Sequence, residues 1–283
     1  MGGDDLSADE YQSESDHDEE KDPPEANLDA VAGGIKKRKG EDTTSKSTNK
    51  KKSRTEIVNV SNPSGRQKLM LRAARGIGQE SPKAQAAFLW TCYSHALLGT
   101  SSDLGPKFEP NHFAYWWNSL KKNHKELTND VRDTLLPSII KQAVCSTKQL
   151  KKWSVLKSPM VLVLCVSARR CVALLKALAS LKVHCLKLFA KHLNVDEQLH
   201  LLRTQACGIA VGTPNRILKL CEEEDGLCLD STQAVVLDGH ENDKGFTVCT
   251  LPDTIPDLAN FISSHVQPKL QTATKNSFKL VLT

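Results

Sequence analysis

The sequence predicts an α/β domain built on a parallel sheet, preceded by a helical segment and a charged tail. Three observations carry this. Met160 to Val166 is a continuous apolar run, the pattern of a strand buried on both faces of a sheet. A second strand is expected at Val183–Phe189, and further short, largely apolar segments follow at Gly208–Val211, Ala234–Asp238 and Phe278–Leu282. Helical patterns separate them, as crossover helices separate parallel strands. Right-handed crossovers would put every loop that follows a strand on one edge, the edge where such sheets bind ligands.

The elements follow in order. Residues 1–62 form the tail. Asp4, Asp5, Asp9, Glu10, Glu14, Asp16, Asp18, Glu19 and Glu20 make an acidic head. Two basic clusters follow, Lys36-Lys37-Arg38-Lys39 and Lys50-Lys51-Lys52-Ser53-Arg54. Blocks of like charge repel themselves and supply no core, so disorder is expected here. The pair of clusters has the form of a bipartite nuclear-localisation signal. A lysine-rich arm also binds phosphate backbones without sequence preference.

Residues 63–157 read as helical. Ser81-Pro82 is a helix start, with Ser as N-cap and Pro in the first turn. Phe88, Leu89, Cys92, Tyr93, Ala96 and Leu97 then recur at helical spacing. Phe113, Trp116, Trp117 and Leu120 form a second amphipathic set, read as core rather than as a platform for stacking bases. Thr128 is the expected cap of a third helix carrying Val131, Leu135, Ile139 and Ile140, bent or broken near Pro137. This segment is expected to pack on the sheet.

Residues 158–283 carry the strands. Ser167–Ala179 is helical; Asn194 and Glu197 have capping-box spacing before Leu199, Leu201 and Leu202. Pro214–Cys221 and Pro256–His265 complete the helices.

The hydrophobic fraction of 39% is low for a wholly globular chain, and the deficit lies mainly in the first sixty residues. No apolar run approaches the roughly 20 residues that span a bilayer. The opening residues are acidic rather than signal-like. A soluble intracellular protein is expected, with no membrane partner. The nine cysteines contain no Cys-x-x-Cys pair. They read as buried thiols rather than zinc ligands, so no metal site is expected.

The strongest local signal is Gly212-Thr213-Pro214-Asn215-Arg216, where a strand hands over to a helix. Thr as N-cap and Pro after it leave backbone N–H groups free to face an anion. The helix dipole favours negative charge there, and Arg216 adds a charge-assisted donor. That arrangement suits an RNA phosphate.

These residues resemble the first RecA-like domain of DEAD-box RNA helicases, whose motif Ib is Thr-Pro-Gly-Arg. VLVLCVSARRCVA is similar to that family's LVLVPTRELA, with Arg169 at its arginine and Ser167, Ala168 and Arg170 in place of Pro, Thr and Glu. Phe189-Ala190-Lys191-His192 stands where the family has Gly-Gly. Asp238-Gly239-His240-Glu241 stands where it has Asp-Glu-Ala-Asp. Asp238 therefore remains as a possible Mg²⁺ ligand, while Gly239 replaces the glutamate. The sequence holds no Gly-x-x-x-x-Gly-Lys-Ser/Thr, the loop that cradles nucleotide phosphates. The resemblance thus implies a degenerate RecA-like sheet lacking the P-loop, with no enzymatic activity and no cofactor.

The LFAKH, GTPNRI and LVL segments, after an acidic and lysine-rich tail, resemble the Cms-one family of small-subunit ribosome-biogenesis proteins. That implies a nuclear, nucleolar protein that binds pre-ribosomal RNA and small-subunit assembly factors. It implies a monomer within a large complex, with no small-molecule substrate. Arg169, Lys191, His192, Thr213, Asn215 and Arg216 are the expected RNA-binding residues. Two alternatives stay open: a protein-only scaffold, and a cryptic nucleotide-dependent enzyme or a hydrolase using Asp238, His240 and Glu241.

Overall fold

The computed structural model describes residues 63–96, 108–120, 128–191, 193–273 and 277–283. The expected tail and nuclear-localisation clusters lie outside them.

Two helices open the described chain, α1 (Pro63–Ala74) and α2 (Pro82–Ala96). Ser81 Oγ accepts from Ala84 N at 3.3 Å, so the Ser-Pro start caps α2. After a 3₁₀ turn, Pro110–His112, come α3 (Trp117–Leu120), α4 (Asn129–Ala143) and α5 (Thr147–Lys151). Alternation then begins: β1 (Val161–Leu164), α6 (Ala168–Leu178), β2 (Cys185–Leu188), α7 (Val195–Thr204), β3 (Ile209–Gly212), α8 (Pro214–Glu222) and β4 (Ala234–Leu237). α9 (Ile255–Phe261), a π-turn over Ile262–Val266, α10 (Gln267–Thr272) and β5 (Lys279–Leu282) complete it.

The five strands form one sheet in the order β2-β3-β1-β4-β5, and every pairing is parallel. Alternate residues feed two cores. Leu162, Leu164, Val235, Leu237, Leu280 and Leu282 point to one face, where α1, α2 and α7 to α10 pack. Val161, Val163, Ile209, Val211, Val236 and Val281 point to the other, against α4, α5 and α6. The helices of the 63–157 segment thus contribute to both layers. Among the described residues no helix is long and apolar enough to cross a membrane. All nine cysteines are unpaired, and most are buried. Burial pushes the Cys145 thiol up to about 11.

Two expectations need correction. Phe113 to Leu120 is not one amphipathic helix. Phe113 forms a parallel bridge with Leu280, and Ala114 N donates to Leu280 O at 2.9 Å. Trp116 Nε1 then donates to Leu282 O at 2.8 Å, and only Trp117–Leu120 is helical. The aromatic spacing reflects packing along the outer edge of β5. Trp116 and Trp117 are 1% and 8% exposed, so both belong to the core rather than to a stacking surface.

The second correction concerns Pro137, which does not break α4. The helix runs through it for 15 residues, started by Thr128 accepting from Val131 N. A lost backbone bond at proline costs about 3 kcal/mol. Burying Leu135, Leu136, Ile139 and Ile140 against the sheet offsets more than that.

Candidate nucleic-acid interface

The strands end in register. Leu188, Gly212, Leu164, Leu237 and Leu282 lie side by side in sheet order. The segments that follow β2, β3 and β1 are therefore neighbours on one edge. Arg169, Lys191 and Asn215 are exposed there, one from each segment. Thr213 is half-buried at the start of α8 and forms no side-chain cap bond. Gly212 is needed at the turn, because a Cβ there would sit 2.4 Å from Leu188 O. The sixth expected residue, His192, lies outside the described residues.

Arg216 behaves differently from the expected phosphate contact. Its Nη1 donates to Leu193 O at 3.0 Å and to Gln198 Oε1 at 2.8 Å. Gln198 is fully buried, and its Nε2 donates to Lys187 O at 2.9 Å and Phe189 O at 3.1 Å. These carbonyls lie in and just beyond the edge strand β2, so Gln198 closes what would be an open sheet edge. Arg216 thus fastens the loop that carries Lys191, with one nitrogen committed internally.

On the other half of the edge, beyond β1, β4 and β5, the charges are turned inward. Arg170 enters from the first turn of α6, which Ser167 caps by accepting from Arg170 N at 3.2 Å. Its Nε donates to Asp238 Oδ2 at 2.7 Å and its Nη2 to Asp238 Oδ1 at 3.1 Å. Its Nη1 donates to Asp133 Oδ2 at 2.6 Å, from α4. Side-chain exposure is 5% for Arg170 and 3% for Asp238. Burial alone would lower the Arg170 pKa, but the two carboxylates override it and hold the pKa above its usual value. Arg132 is buried beside them. Burial lowers its pKa, with Asp238 and Glu241 opposing that shift. Its Nη1 donates to Asn129 Oδ1 at 2.7 Å, and its Nε has no hydrogen-bond partner.

Asp238 therefore faces a guanidinium across both oxygens, which corrects its reading as a possible Mg²⁺ ligand. No group of three or more metal-binding side chains occurs among the described residues. Gly239 has a steric reason: a Cβ there would lie 1.8 Å from Thr283 O. Its N–H donates to Thr283 Oγ1 at 3.0 Å. Asn129, in the first turn of α4, grips the next residues. Its Nδ2 donates to Glu241 O at 2.9 Å, and its Oδ1 accepts from Glu241 N at 3.1 Å. His240 Nδ1 lies 4.0 Å from Asp133 Oδ1, and burial, followed by Arg170, lowers its pKa. The Asp-Gly-His-Glu segment is the seat on which α4 docks.

The sequence model of the family CMS1, described as "U3-containing 90S pre-ribosomal complex subunit", matches residues 99–281. The chain belongs to the CMS1 family. It is 35% identical to Protein CMSS1 of Danio rerio over 159 residues, 54% of this chain and 53% of that protein. It is 30% identical to Protein CMSS1 of Xenopus laevis over 153 residues, 53% and 41% of the two chains. Protein CMS1 of Chaetomium thermophilum is 35% identical over 78 residues, 27% and 31% of the two chains. The match spans about half the length of these curated relatives, or less.

Sequence reasoning on this CMS1-family chain missed Asn129, Arg132, Asp133 and Gln198. Arg132 and Asp133 precede the apolar positions Leu135, Leu136, Ile139 and Ile140 on one helix, and nothing in that spacing separates a buried charge from a solvated one. Arg170 was visible only as a departure from a familiar motif. Its two acidic partners lie 37 and 68 positions away along the chain, and no local pattern points to them.

Proposed function

We propose that the chain is a non-catalytic RNA- and protein-binding subunit of a small-subunit pre-ribosomal particle, acting in ribosome biogenesis in the nucleus and nucleolus. Membership of the CMS1 family supports the setting. The observation that carries the RNA reading is the sheet order, which makes neighbours of the loops bearing Arg169, Lys191 and Asn215. A phosphate backbone running across the ends of β2, β3 and β1 meets two cations, an amide and the N-terminus of α8 in turn. Arg216 contributes by holding the Lys191 loop. The non-catalytic reading rests on Arg170, which occupies both oxygens of Asp238. Pre-ribosomal RNA and small-subunit assembly factors are the partners in this reading, and neither a cofactor nor a small-molecule substrate is required.

The test is ultraviolet crosslinking of the tagged full-length chain to cellular RNA, wild type against Arg169→Ala/Lys191→Ala. Arg216 is left intact because its loss would also disturb Gln198. The expected result is crosslinks on small-subunit precursor rRNA that fall sharply in the variant. With purified RNA, each substitution should reduce the slope of log affinity against log salt by about 1. Unchanged crosslinks and slope would overturn the assignment and leave a protein-only scaffold.

A further inference from the structure

The opposite edge of the sheet, where the strands begin, carries a second surface. α5 lies there: a Cβ on Gly208, just before β3, would sit 2.6 Å from Leu150 O. The chain then runs through 152–159 into β1. Among the described residues three large hydrophobic side chains are exposed, Val155 at 36%, Leu156 at 41% and Val172 at 36%. Val172 stands alone on α6, as single surface hydrophobics ordinarily do. Val155 and Leu156 are adjacent, in a loop that the fold holds in place.

The restraints on that loop are specific. Trp153 Nε1 donates to Ser158 O at 2.9 Å. Lys157 adopts a left-handed backbone, φ 60°, which is uncommon for a residue other than glycine. Its N–H donates to Leu202 O at 3.0 Å, its carbonyl accepts from Cys228 N at 3.0 Å, and its ammonium pairs with Asp225. Such a conformation persists where the surroundings determine it. The fold thus fixes a short loop whose tip offers two aliphatic side chains to water, an arrangement that gains stability when a partner covers it.

The charges around the tip narrow the partner. Lys148, Lys151 and Lys152 are exposed on α5 and at its end. Lys151 and Lys152 are within four residues of Val155, at most about 14 Å of extended chain. Beyond Lys157, residues Glu222 to Asp225 form an exposed acidic run. That run repels phosphates and carboxylates alike and so confines an acidic partner to the α5 side of the tip. RNA fits poorly because a phosphate backbone would leave the aliphatic pair uncovered. Trp153, the aromatic side chain in the loop, is tied to Ser158 and packed against the core instead of free for stacking.

We infer that the Val155–Leu156 tip, flanked by Lys148, Lys151 and Lys152, docks an acidic peptide segment of another protein. The apolar anchor of that segment covers the aliphatic pair, and its carboxylates meet the lysines. The surface lies across the sheet from the RNA-facing edge, so the inference stands independently of that reading.

The test uses a carbodiimide, which joins a lysine amine directly to a carboxylate in contact with it. The full-length chain is epitope-tagged in its own cells, recovered in its native particles and crosslinked, and the joined peptides are identified by mass spectrometry. The expected result is that Lys148, Lys151 or Lys152 is joined to an acidic segment of a second protein. The yield should fall about tenfold in Val155→Ser/Leu156→Ser, which keeps every lysine and should keep the unfolding midpoint. Lysine crosslinks that stay within the chain would overturn the inference. A yield unchanged in the Ser/Ser variant would overturn it too, as would photocrosslinks from this loop to RNA.

Discussion

Arg170 brings a positive charge into a place where its side chain keeps 5% of its exposure, and only Asp133 and Asp238 make that tolerable. Removing one member of a buried ion pair strands the other. Arg170→Ala should therefore lower stability by about 3–5 kcal/mol in urea unfolding, because Asp238 is left charged and buried. Adding Asp238→Asn to that variant should restore part of the loss; a double variant as unstable as the sum of the two singles would mean the two residues act separately. At Gly239 the constraint is space, since the carbonyl of Thr283 occupies the volume of a Cβ. A comparison of motifs registers glycine in place of glutamate and stops there. The reason is visible only once β5 lies beside β4.

Among the elements, α7 shows most clearly how local and distant signals combine. Asn194 Oδ1 accepts from Glu197 N at 2.8 Å, and Glu197 Oε2 accepts from Asn194 N at 2.7 Å, the reciprocal box that the spacing predicts. Strand positions were legible from short hydrophobic segments between helical patterns, uninterrupted in β1, β3 and β4, broken by Lys187 in β2 and led by Lys279 in β5. All five segments are strands, each four residues long. Gln198, one residue beyond the box, carried no such signal. Its partners are the carbonyls of Lys187 and Phe189 and the guanidinium of Arg216, which sequence spacing does not specify. Gln198→Leu keeps the burial but deletes every one of these bonds. It should lower stability by about 1–3 kcal/mol and raise hydrogen exchange in β2 and in the segment 189–191. Loss of stability with β2 exchange unchanged would show that the edge is closed by something else. In the candidate interface, Arg169, Lys191 and Asn215 were legible because each follows a predictable strand. The inward turn of Arg216 was not, because a turn motif fixes the backbone and leaves the long side chain undetermined.

Across the whole molecule, burial lowers the pKa of His112, His240 and His265 below the ordinary 6.5. A depressed histidine is neutral in the fold and readily protonated once unfolded. Its contribution is complete above about 6.5, the unfolded value, and is lost as pH falls through the folded value. Urea midpoints measured between pH 7.5 and 5 should fall with acidification, and His240→Gln should flatten the slope. A flat wild-type profile would show that these rings titrate as freely in the fold as out of it.

The bond from Trp116 to the carbonyl of Leu282 spans 166 positions of chain, and the bridge from Phe113 to Leu280 spans a similar length. At synthesis rates of about 5–20 residues per second, these aromatics wait on the order of ten to thirty seconds for the strand that shelters them. Parallel pairing gives no earlier local substitute, since every neighbour in this sheet is reached by a long connection. A nascent chain of this fold therefore emerges with its tryptophan-bearing segment uncovered. Slower synthesis should thus lengthen the interval in which that segment can associate with other chains.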